Sequence, residues 1–294
     1  MQTRRIGATL GAAALLVGLA ACGSEDGGSS ADREVTLGIV PSWTDHVNAA
    51  YLWKNVLESK GYTVSITELA DMAPLYAGLA QGDVDVFPSA WSEVTHKDYM
   101  NQYGDRFADW GVYYGNARLT IAVPQYSRFH SIEDLKGNAS VVNGRIVGIE
   151  AGAGLTRITK EQVIPQYDLG SEYTLLESST TAMLAELKNA IEANREIVVT
   201  LWRPYWANQE FAVRDLDDPK GALGQPEGIH ILANKQWAEN HQDLKPLFES
   251  LKLTDEQYGT LENKVVNEFG QGKEAQAVES WLQENPDISQ QLKG

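Results

Sequence analysis

The chain has 294 residues, of which 43% are hydrophobic and 22% are charged, and this is the composition of an ordinary globular protein. Its 24 basic and 40 acidic residues give a net charge of −16. Such a chain has no basic face for nucleic acid, whereas a cationic ligand meets a favourable long-range field. The single cysteine, Cys22, excludes an intrachain disulfide and any metal or redox site that needs a cysteine pair.

The first 21 residues have the pattern of a signal peptide. Two arginines precede an apolar run from Ile6 to Val17 that is too short to span a bilayer. The ending Leu-Ala-Ala-Cys resembles the lipobox of bacterial lipoproteins, in which the cysteine is lipidated and becomes the mature N-terminus. Residues 22–33 are rich in glycine and serine and predict a flexible tether. We therefore expect an extracytoplasmic protein, anchored through lipid on Cys22 to the outer face of the bacterial cytoplasmic membrane.

The remaining chain alternates strand-like and helix-like segments in two series. The first series predicts strands over 35–40, 62–69 and 84–87, with helices over 46–59 and 74–81. The second series predicts strands over 119–123, 145–150, 173–176 and 196–201, with helices from 155 and over 180–193. A late strand over 229–233 precedes a helical C-terminal third. Strands alternating with helices favour mostly parallel sheets, so the two series predict two α/β lobes.

Tryptophans follow three of these predicted strands at the point where each strand ends. Trp43 follows the first strand, Trp91 the third, and Trp202 the last strand of the second series. Pockets in open α/β sheets form beyond the carboxyl ends of strands, and core packing gives tryptophan no reason to favour those ends. Converging indole faces attract a cation through the ring quadrupole. The pattern therefore favours an aromatic box for a quaternary ammonium compound.

Four segments resemble, in order and spacing, the substrate-binding proteins of ABC importers for glycine betaine, choline and related osmolytes: GIVPSWTD (38–45), LAQGDVDVFPSAW (79–91), GIEAGAG (148–154) and VVTLWRPYW (198–206). The resemblance implies a two-lobed α/β clamp of the periplasmic-binding-protein type (type II), with the ligand in the cleft and no catalytic activity. One lobe would comprise 34–122 plus 230–294 and the other 123–229, hinged near 122–124 and 229–231. The partner would be an ABC permease subunit, and the protein itself a monomer.

The resemblance also assigns residues to the box. Trp91 and Trp202 match the aromatic positions used most widely across the family. Trp43 and Asp45 match the branch that resembles choline binders, where the aspartate accepts the ligand hydroxyl. Leu119 stands where that branch has an aromatic residue, and many betaine binders place an aromatic near Ala153. The candidates for a fourth wall are Tyr113, Tyr114, Tyr205 and Trp206.

The sequence leaves several roles at the other end of the ligand open. Backbone amides of the turn formed by Gly152, Ala153 and Gly154 could bind a carboxylate at the start of a helix. Arg157 or Arg118 could add donors, and the alternative for each is a solvated surface residue. Besides accepting a hydroxyl, Asp45 could cap the helix that begins at His46. His96 could bind the ligand carboxylate or support its own loop.

Enzyme motifs are absent or incomplete. Gly152 and Gly154 follow a strand, but the third glycine of a dinucleotide fingerprint is replaced by Arg157. There is no P-loop, GxSxG or HExxH sequence, and the five histidines show no ligand spacing. Glu93 and Glu150 could form a carboxylate pair for glycoside hydrolysis, so a secreted carbohydrate-active lipoprotein is the alternative. We expect no cofactor and no metal, and glycine betaine slightly ahead of choline, because of Leu119 and the glycine-rich turn.

Overall fold

The computed structural model describes residues 33–293, so the predicted signal peptide, Cys22 and most of the predicted tether lie outside the described residues. Within 33–293, no helix combines the length and the apolar character that crossing a membrane requires. Residues 34–294 form one compact unit.

Nine strands and twelve α-helices are present in this part of the chain. The strands are β1 (Glu34–Ile39), β2 (Thr63–Glu68), β3 (Val86–Ala90), β4 (Phe107–Pro124), β5 (Arg145–Val147), β6 (Thr174–Leu176), β7 (Val199–Arg203), β8 (Val213–Asp215) and β9 (Glu227–Asn234). The helices are α1 (Thr44–Ser59), α2 (Met72–Gln81), α3 (Lys97–Tyr103), α4 (Gly154–Ile158), α5 (Ile164–Gln166), α6 (Thr180–Glu192), α7 (Ala207–Glu210), α8 (Lys235–Asn240), α9 (Lys245–Ser250), α10 (Asp255–Asn263), α11 (Glu274–Glu284) and α12 (Pro286–Gln291). Two π-helical segments, Thr159–Val163 and Lys264–Phe269, continue α4 and α10.

The strands pair in the order β2-β1-β3-β9-β4-β7-β5-β6, with β8 beside β4. The long strand β4 changes partner along its length, because it pairs with β9 as far as Ala117 and with β7 from Arg118 onward. We call β2, β1, β3, β9 and the first part of β4 the first sheet, and the second part of β4 with β7, β5, β6 and β8 the second sheet. Each predicted series therefore contributes to a separate sheet.

Half of the strand pairings are antiparallel, which corrects the prediction of mostly parallel sheets. β1 lies parallel to β2 and β3, and β5 lies parallel to β6 and β7. The pairings of β9 with β3 and β4, and of β4 with β7 and β8, are antiparallel. The sequence does not predict the first half of β4, since Gly111 and Gly115 interrupt its apolar run and its ladder with β9 is irregular. The three-residue strand β8 is also missed.

Local sequence accounts for the ends of the helices next to the sheets. Asp71 caps α2 by accepting the Met72 N–H, and Gly82 ends this helix in the left-handed region at φ +86°. Ser179 caps α6 by accepting the Ala182 N–H. Helix α1 buries Trp53 against Phe248, with ring centroids 4.2 Å apart. The C-terminal helices α10 and α11 pack on α1, so the end of the chain completes the core of the first sheet.

Candidate functional site

A cleft lies between the ends of strands from both sheets. All three predicted tryptophans line it, and each is buried, with exposed fractions of 4 to 6%. The lining residues are Trp43, Asp45, His46, Trp91, Thr95, His96, Leu119, Ile149, Ala153, Gly154, Leu155 and Trp202. The lining is aromatic and aliphatic apart from one carboxylate, one threonine, two imidazoles and backbone groups.

Trp43 comes from the loop after β1 and is held by two residues beside the second sheet, one after β5 and one at the start of α6. Its Nε1–H points to Thr180 Oγ1 at 2.9 Å and to Glu150 Oε2 at 3.2 Å. Its ring meets the edge of Trp202, with centroids 6.4 Å apart and the ring planes at 67°. The indole therefore forms a wall whose orientation is set across the cleft.

Trp91, directly after β3, is held within the first sheet by Asp45. Its Nε1–H donates to Asp45 Oδ2 at 3.2 Å, and the Ser89 hydroxyl donates to the same oxygen at 2.7 Å. Burial raises the pKa of Asp45 to about 6, against the lowering effect of these hydrogen bonds. Helix α1 begins at Thr44, so Asp45 lies in its first turn and the alternative of a helix cap at this residue is wrong.

His96 supports the Trp91 loop, as one of its two expected roles required. Its Nδ1 accepts the Trp91 backbone N–H at 3.1 Å and lies 3.1 Å from the Tyr76 hydroxyl. Burial holds the pKa of His96 well below its ordinary value, so the ring is neutral and carries its proton on Nε2. No residue in 33–293 accepts that proton, and the ring lines the cleft.

A second buried histidine in the cleft, His46, was not assigned a site role from the sequence. Its Nδ1 accepts the Val40 N–H at 3.1 Å, and burial lowers its pKa to about 3. Its ring lies edge-on to Trp43 at 5.1 Å and to Phe87 at 4.9 Å. The sequence signal that could have identified His46 is its position three residues after Trp43, in the first turn of α1.

Trp202 lies within β7 and faces Leu119, its partner on β4. One face of its ring stacks on Tyr205, with centroids 4.1 Å apart and planes at 23°. Trp206 packs in turn against the edge of Tyr205. Tyr205 and Trp206 thus stand behind Trp202, outside the residues that line the cleft.

The predicted glycine-rich turn follows β5 and approaches the first sheet closely. The Gly152 N–H donates to Asp71 Oδ2 at 2.8 Å, and the Ala153 N–H donates to the Glu150 carbonyl at 3.1 Å. A Cβ at Gly154 would lie 2.0 Å from the Thr95 carbonyl oxygen, so only glycine fits there. The Gly154 amide has no hydrogen-bond partner within 33–293, which leaves one amide of the turn able to bind a ligand.

The other predicted candidates lie outside the residues that line the cleft. Tyr113 and Tyr114 are buried in the first sheet, and the Tyr114 hydroxyl donates to Asp255. Arg157 forms an ion pair with Asp98 at 2.9 Å, and Arg118 is exposed. The carboxylates of Glu93 and Glu150 do not share a partner. Glu93 accepts the Gly228 N–H and contacts His230, whereas Glu150 accepts from Trp43 and Thr180.

One further buried acid lies near the cleft. Glu262 of α10 accepts the Thr44 hydroxyl at 2.5 Å, and burial raises its pKa to about 7, with a further contribution from Asp45. In the described part of the chain, no group of three or more histidine, cysteine or acidic side chains is placed to hold a metal ion.

Two α/β sheets joined through β4, with an aromatic cleft between them, define a two-lobed substrate-binding protein of the periplasmic-binding-protein type. Residues 33–284 match the family described as the substrate binding domain of ABC-type glycine betaine transport systems, and the chain belongs to this family. The resemblance seen in the four segments is therefore confirmed. The chain is a transport binding protein and not an enzyme, so the glycoside hydrolase alternative is wrong.

The chain is similar to transport binding proteins of known sequence and structure. The glycine betaine/carnitine transport binding protein GbuC of Listeria monocytogenes is 35% identical over 148 residues, which are 50% of this chain and 48% of that protein. The ProX glycine betaine, L-proline ABC transporter binding protein of Borrelia burgdorferi matches with a TM-score of 0.81 and 30% identity, over 88% of this chain and 96% of that one. Lactococcal OpuAC, in a closed form with glycine betaine, has a TM-score of 0.81 and 26% identity, over 88% and 99%.

Proposed function

We propose that the protein captures a quaternary ammonium osmolyte, glycine betaine in preference to choline, and delivers it to an ABC permease. The observation that carries this proposal is the convergence of Trp43, Trp91 and Trp202 on one cleft. Three indoles attract a cation through their ring quadrupoles, and their apolar surface suits methyl groups better than a hydrated ammonium. The trimethylammonium head therefore occupies the part of the cleft that the three indoles share.

We assign the carboxylate of glycine betaine to two hydrogen-bond donors that line the same cleft. The Gly154 amide begins a continuous helical segment over 154–166, whose N-terminus carries partial positive charge. The Nε2–H of His96 is a second donor that lines the cleft without a protein acceptor in 33–293. Two donors and three indoles in one cleft match a zwitterion with a carboxylate and a trimethylammonium group.

Choline is the second candidate ligand, because Asp45 lines the cleft and could accept its hydroxyl. Two donors, Ser89 and Trp91, already occupy one oxygen of that carboxylate. The single neutral hydroxyl of choline is a weaker acceptor for the Gly154 amide and the His96 proton than a carboxylate with two oxygens. Glycine betaine is therefore ranked first.

The clamp geometry supports delivery of a loaded form. We place the change of lobe in β4 between Ala117 and Arg118, where the strand changes partner, five residues before the boundary expected from the resemblance. Closure of the two lobes on the ligand would present this form to the permease. We also propose that lipid on Cys22 anchors the protein, as a monomer, to the outer face of the cytoplasmic membrane.

Calorimetry on residues 33–294 with a ligand panel tests the proposal. Glycine betaine is expected to bind most tightly, choline more weakly, and glycine and maltose not at all. The tryptophan emission should change on binding, because three indoles surround the ligand. Binding of maltose alone would overturn the proposal, and tighter binding of choline than of glycine betaine would reverse the ranking.

A further inference from the structure

Glu150 collects four hydrogen bonds at the boundary between the two sheets. Its carboxylate accepts from Ser42 Oγ at 3.2 Å and from Trp43 Nε1 at 3.2 Å, both in the loop after β1. It also accepts the Thr180 N–H at 3.0 Å and the Thr180 hydroxyl at 2.7 Å, at the start of α6. The carboxylate thus joins a loop of the first sheet to a helix beside the second.

The same contacts determine how the Trp43 ring is oriented. The indole N–H lies between Glu150 and Thr180, and no group of the first sheet within 33–293 accepts it. Trp91 differs, because its indole N–H is bound by Asp45 of its own sheet. The Trp91 indole is therefore oriented before the lobes meet. The Trp43 indole is oriented only when they meet.

The geometry does not favour direct binding of the ligand by Glu150. Its two oxygens already accept four donors, so neither is available to a ligand without breaking a bond. It lies outside the residues that line the cleft. Glu150 therefore acts on the ligand through Trp43, as a positioning residue.

We propose that Glu150, together with Thr180, orients Trp43 in the closed clamp and so sets the preference for three methyl groups over two on the ligand nitrogen. The inference rests on the proposed function. A cation–π contact depends on the ring presenting its face to the cation, and a trimethylammonium head has a methyl group for every wall. When the Trp43 ring turns away, the ligand with the third methyl group loses more contact than the ligand without it.

The test compares glycine betaine with N,N-dimethylglycine, which has the same carboxylate and one methyl group fewer. Calorimetric Kd values are measured for wild type, Glu150→Gln and a matched control, Asp98→Asn. The control replaces a carboxylate by an amide at Asp98, an exposed residue that lies outside the cleft lining and whose ion pair with Arg157 also connects elements beside the two sheets. Melting curves verify that each variant is folded.

In Glu150→Gln we expect glycine betaine affinity to fall about tenfold and dimethylglycine affinity to fall about two- to threefold, the size of one cation–π contact. Asp98→Asn should change both affinities by the same small factor. Thr180→Val removes the acceptor beside Trp43 and should reproduce the loss of preference, while Thr180→Ser keeps the hydroxyl and should retain it. Thr180→Val also provides the answer if Glu150→Gln does not fold.

Equal losses for the two ligands in Glu150→Gln and in Thr180→Val would overturn the inference and leave Glu150 as a simple contact between lobes. In that case wild-type binding of glycine betaine would still support the proposed function. If wild type binds neither ligand, the proposed function itself is wrong and the inference is wrong with it.

Discussion

The two sides of the cleft are built by different interactions. On the first-sheet side, hydrogen bonds within that sheet hold the polar groups, as between Asp45 and the Trp91 indole and between His96 and the Trp91 backbone. On the second-sheet side, Trp202 is held by stacking on Tyr205 and by its neighbour Leu119. Apart from Trp43, whose indole N–H is bound across the cleft, the first side is therefore oriented before closure, and the second side supplies apolar surface that contacts the ligand when the lobes meet.

The two sides of the cleft should contribute differently to recognition of the ligand. Groups that are already oriented lose little entropy when the ligand arrives, so the first-sheet side should determine where the charged head binds. The stacked wall adds buried area and tolerates small changes in ligand shape. Substitutions on the two sides should accordingly differ in size and in selectivity.

The largest effects are expected for the indoles that line the cleft. Trp91→Ala and Trp202→Ala should each weaken glycine betaine binding by about 1–3 kcal/mol, because each removes a cation–π face and buried apolar area. Trp91→Ala should lie at the upper end, since it also leaves the buried Asp45 carboxylate without one of its donors. Isothermal titration measures both losses.

Trp53→Phe is the matched control, because Trp53 is fully buried in α1 against Phe248 and does not line the cleft. It should alter stability but not affinity. Normal binding by both cleft variants, with a loss of affinity in Trp53→Phe, would show that the box has been misplaced.

A smaller and more selective effect is expected for the carboxylate on the first-sheet side. Asp45→Asn keeps the side-chain size and removes the charge that would accept a choline hydroxyl. Choline affinity should fall by about 1.5–3 kcal/mol, the range for hydrogen bonds to charged groups, while glycine betaine affinity stays level or improves. Titration of both ligands into wild type and variant measures this difference.

Glu256→Gln, an exposed carboxylate at the start of α10, is the control and should change neither affinity. Unchanged affinity for both ligands in Asp45→Asn would show that Asp45 acts only on Trp91 and Ser89.

Protonation of two buried carboxylates in this region should stabilise the folded protein at acid pH. Burial raises the pKa of Asp45 to about 6 and that of Glu262 to about 7, from ordinary values of 3.8 and 4.5. The folded protein binds these protons more tightly than the unfolded chain does. Their contribution to the free energy of unfolding is therefore full below about pH 4 and is lost as the pH rises through about 6 and 7.

Urea unfolding at about pH 5 and about pH 7.5 tests this prediction. The free energy of unfolding at about pH 5 minus that at about pH 7.5 should be lower in Glu262→Gln than in wild type, because the amide cannot titrate and the opposing contribution of the buried His46 and His96 is the same in both. A variant with the same change as wild type would contradict the assignment. Glu256→Gln again provides the exposed control.

The smallest effect is expected where the two sides meet at the surface. The Asp98 side chain of the ion pair with Arg157 is 60% exposed, so solvent screens the attraction. Asp98→Asn should weaken every ligand equally, by about 0–1 kcal/mol, and less at high salt. A loss above that range, or one confined to a single ligand, would show that this pair belongs to the recognition site.

Much of the fold could be predicted from periodicity and end signals in the sequence. The boundaries of α2 and α6 follow from Gly82 and from the predicted series, and eight of the nine strands in 33–293 overlap a predicted one. The exceptions are β8, and the first half of β4, whose glycines break the apolar pattern. The antiparallel pairing of β4 and β9 could not be predicted, because strand direction depends on contacts between segments over a hundred residues apart.

The sequence by itself determined which residue types would meet at the cleft, because pockets of α/β proteins form beyond the carboxyl ends of strands and three predicted strands, from both series, are followed by tryptophan. Only the tertiary structure decided how those residues are held. Asp45 became a partner of Trp91, Glu150 a partner of Trp43, and Tyr205 a support behind Trp202. The first two roles depend on distances of about 3 Å between residues far apart in the chain. Burial, which raises the pKa of Asp45 and lowers that of His46, exists only once the sheets have packed.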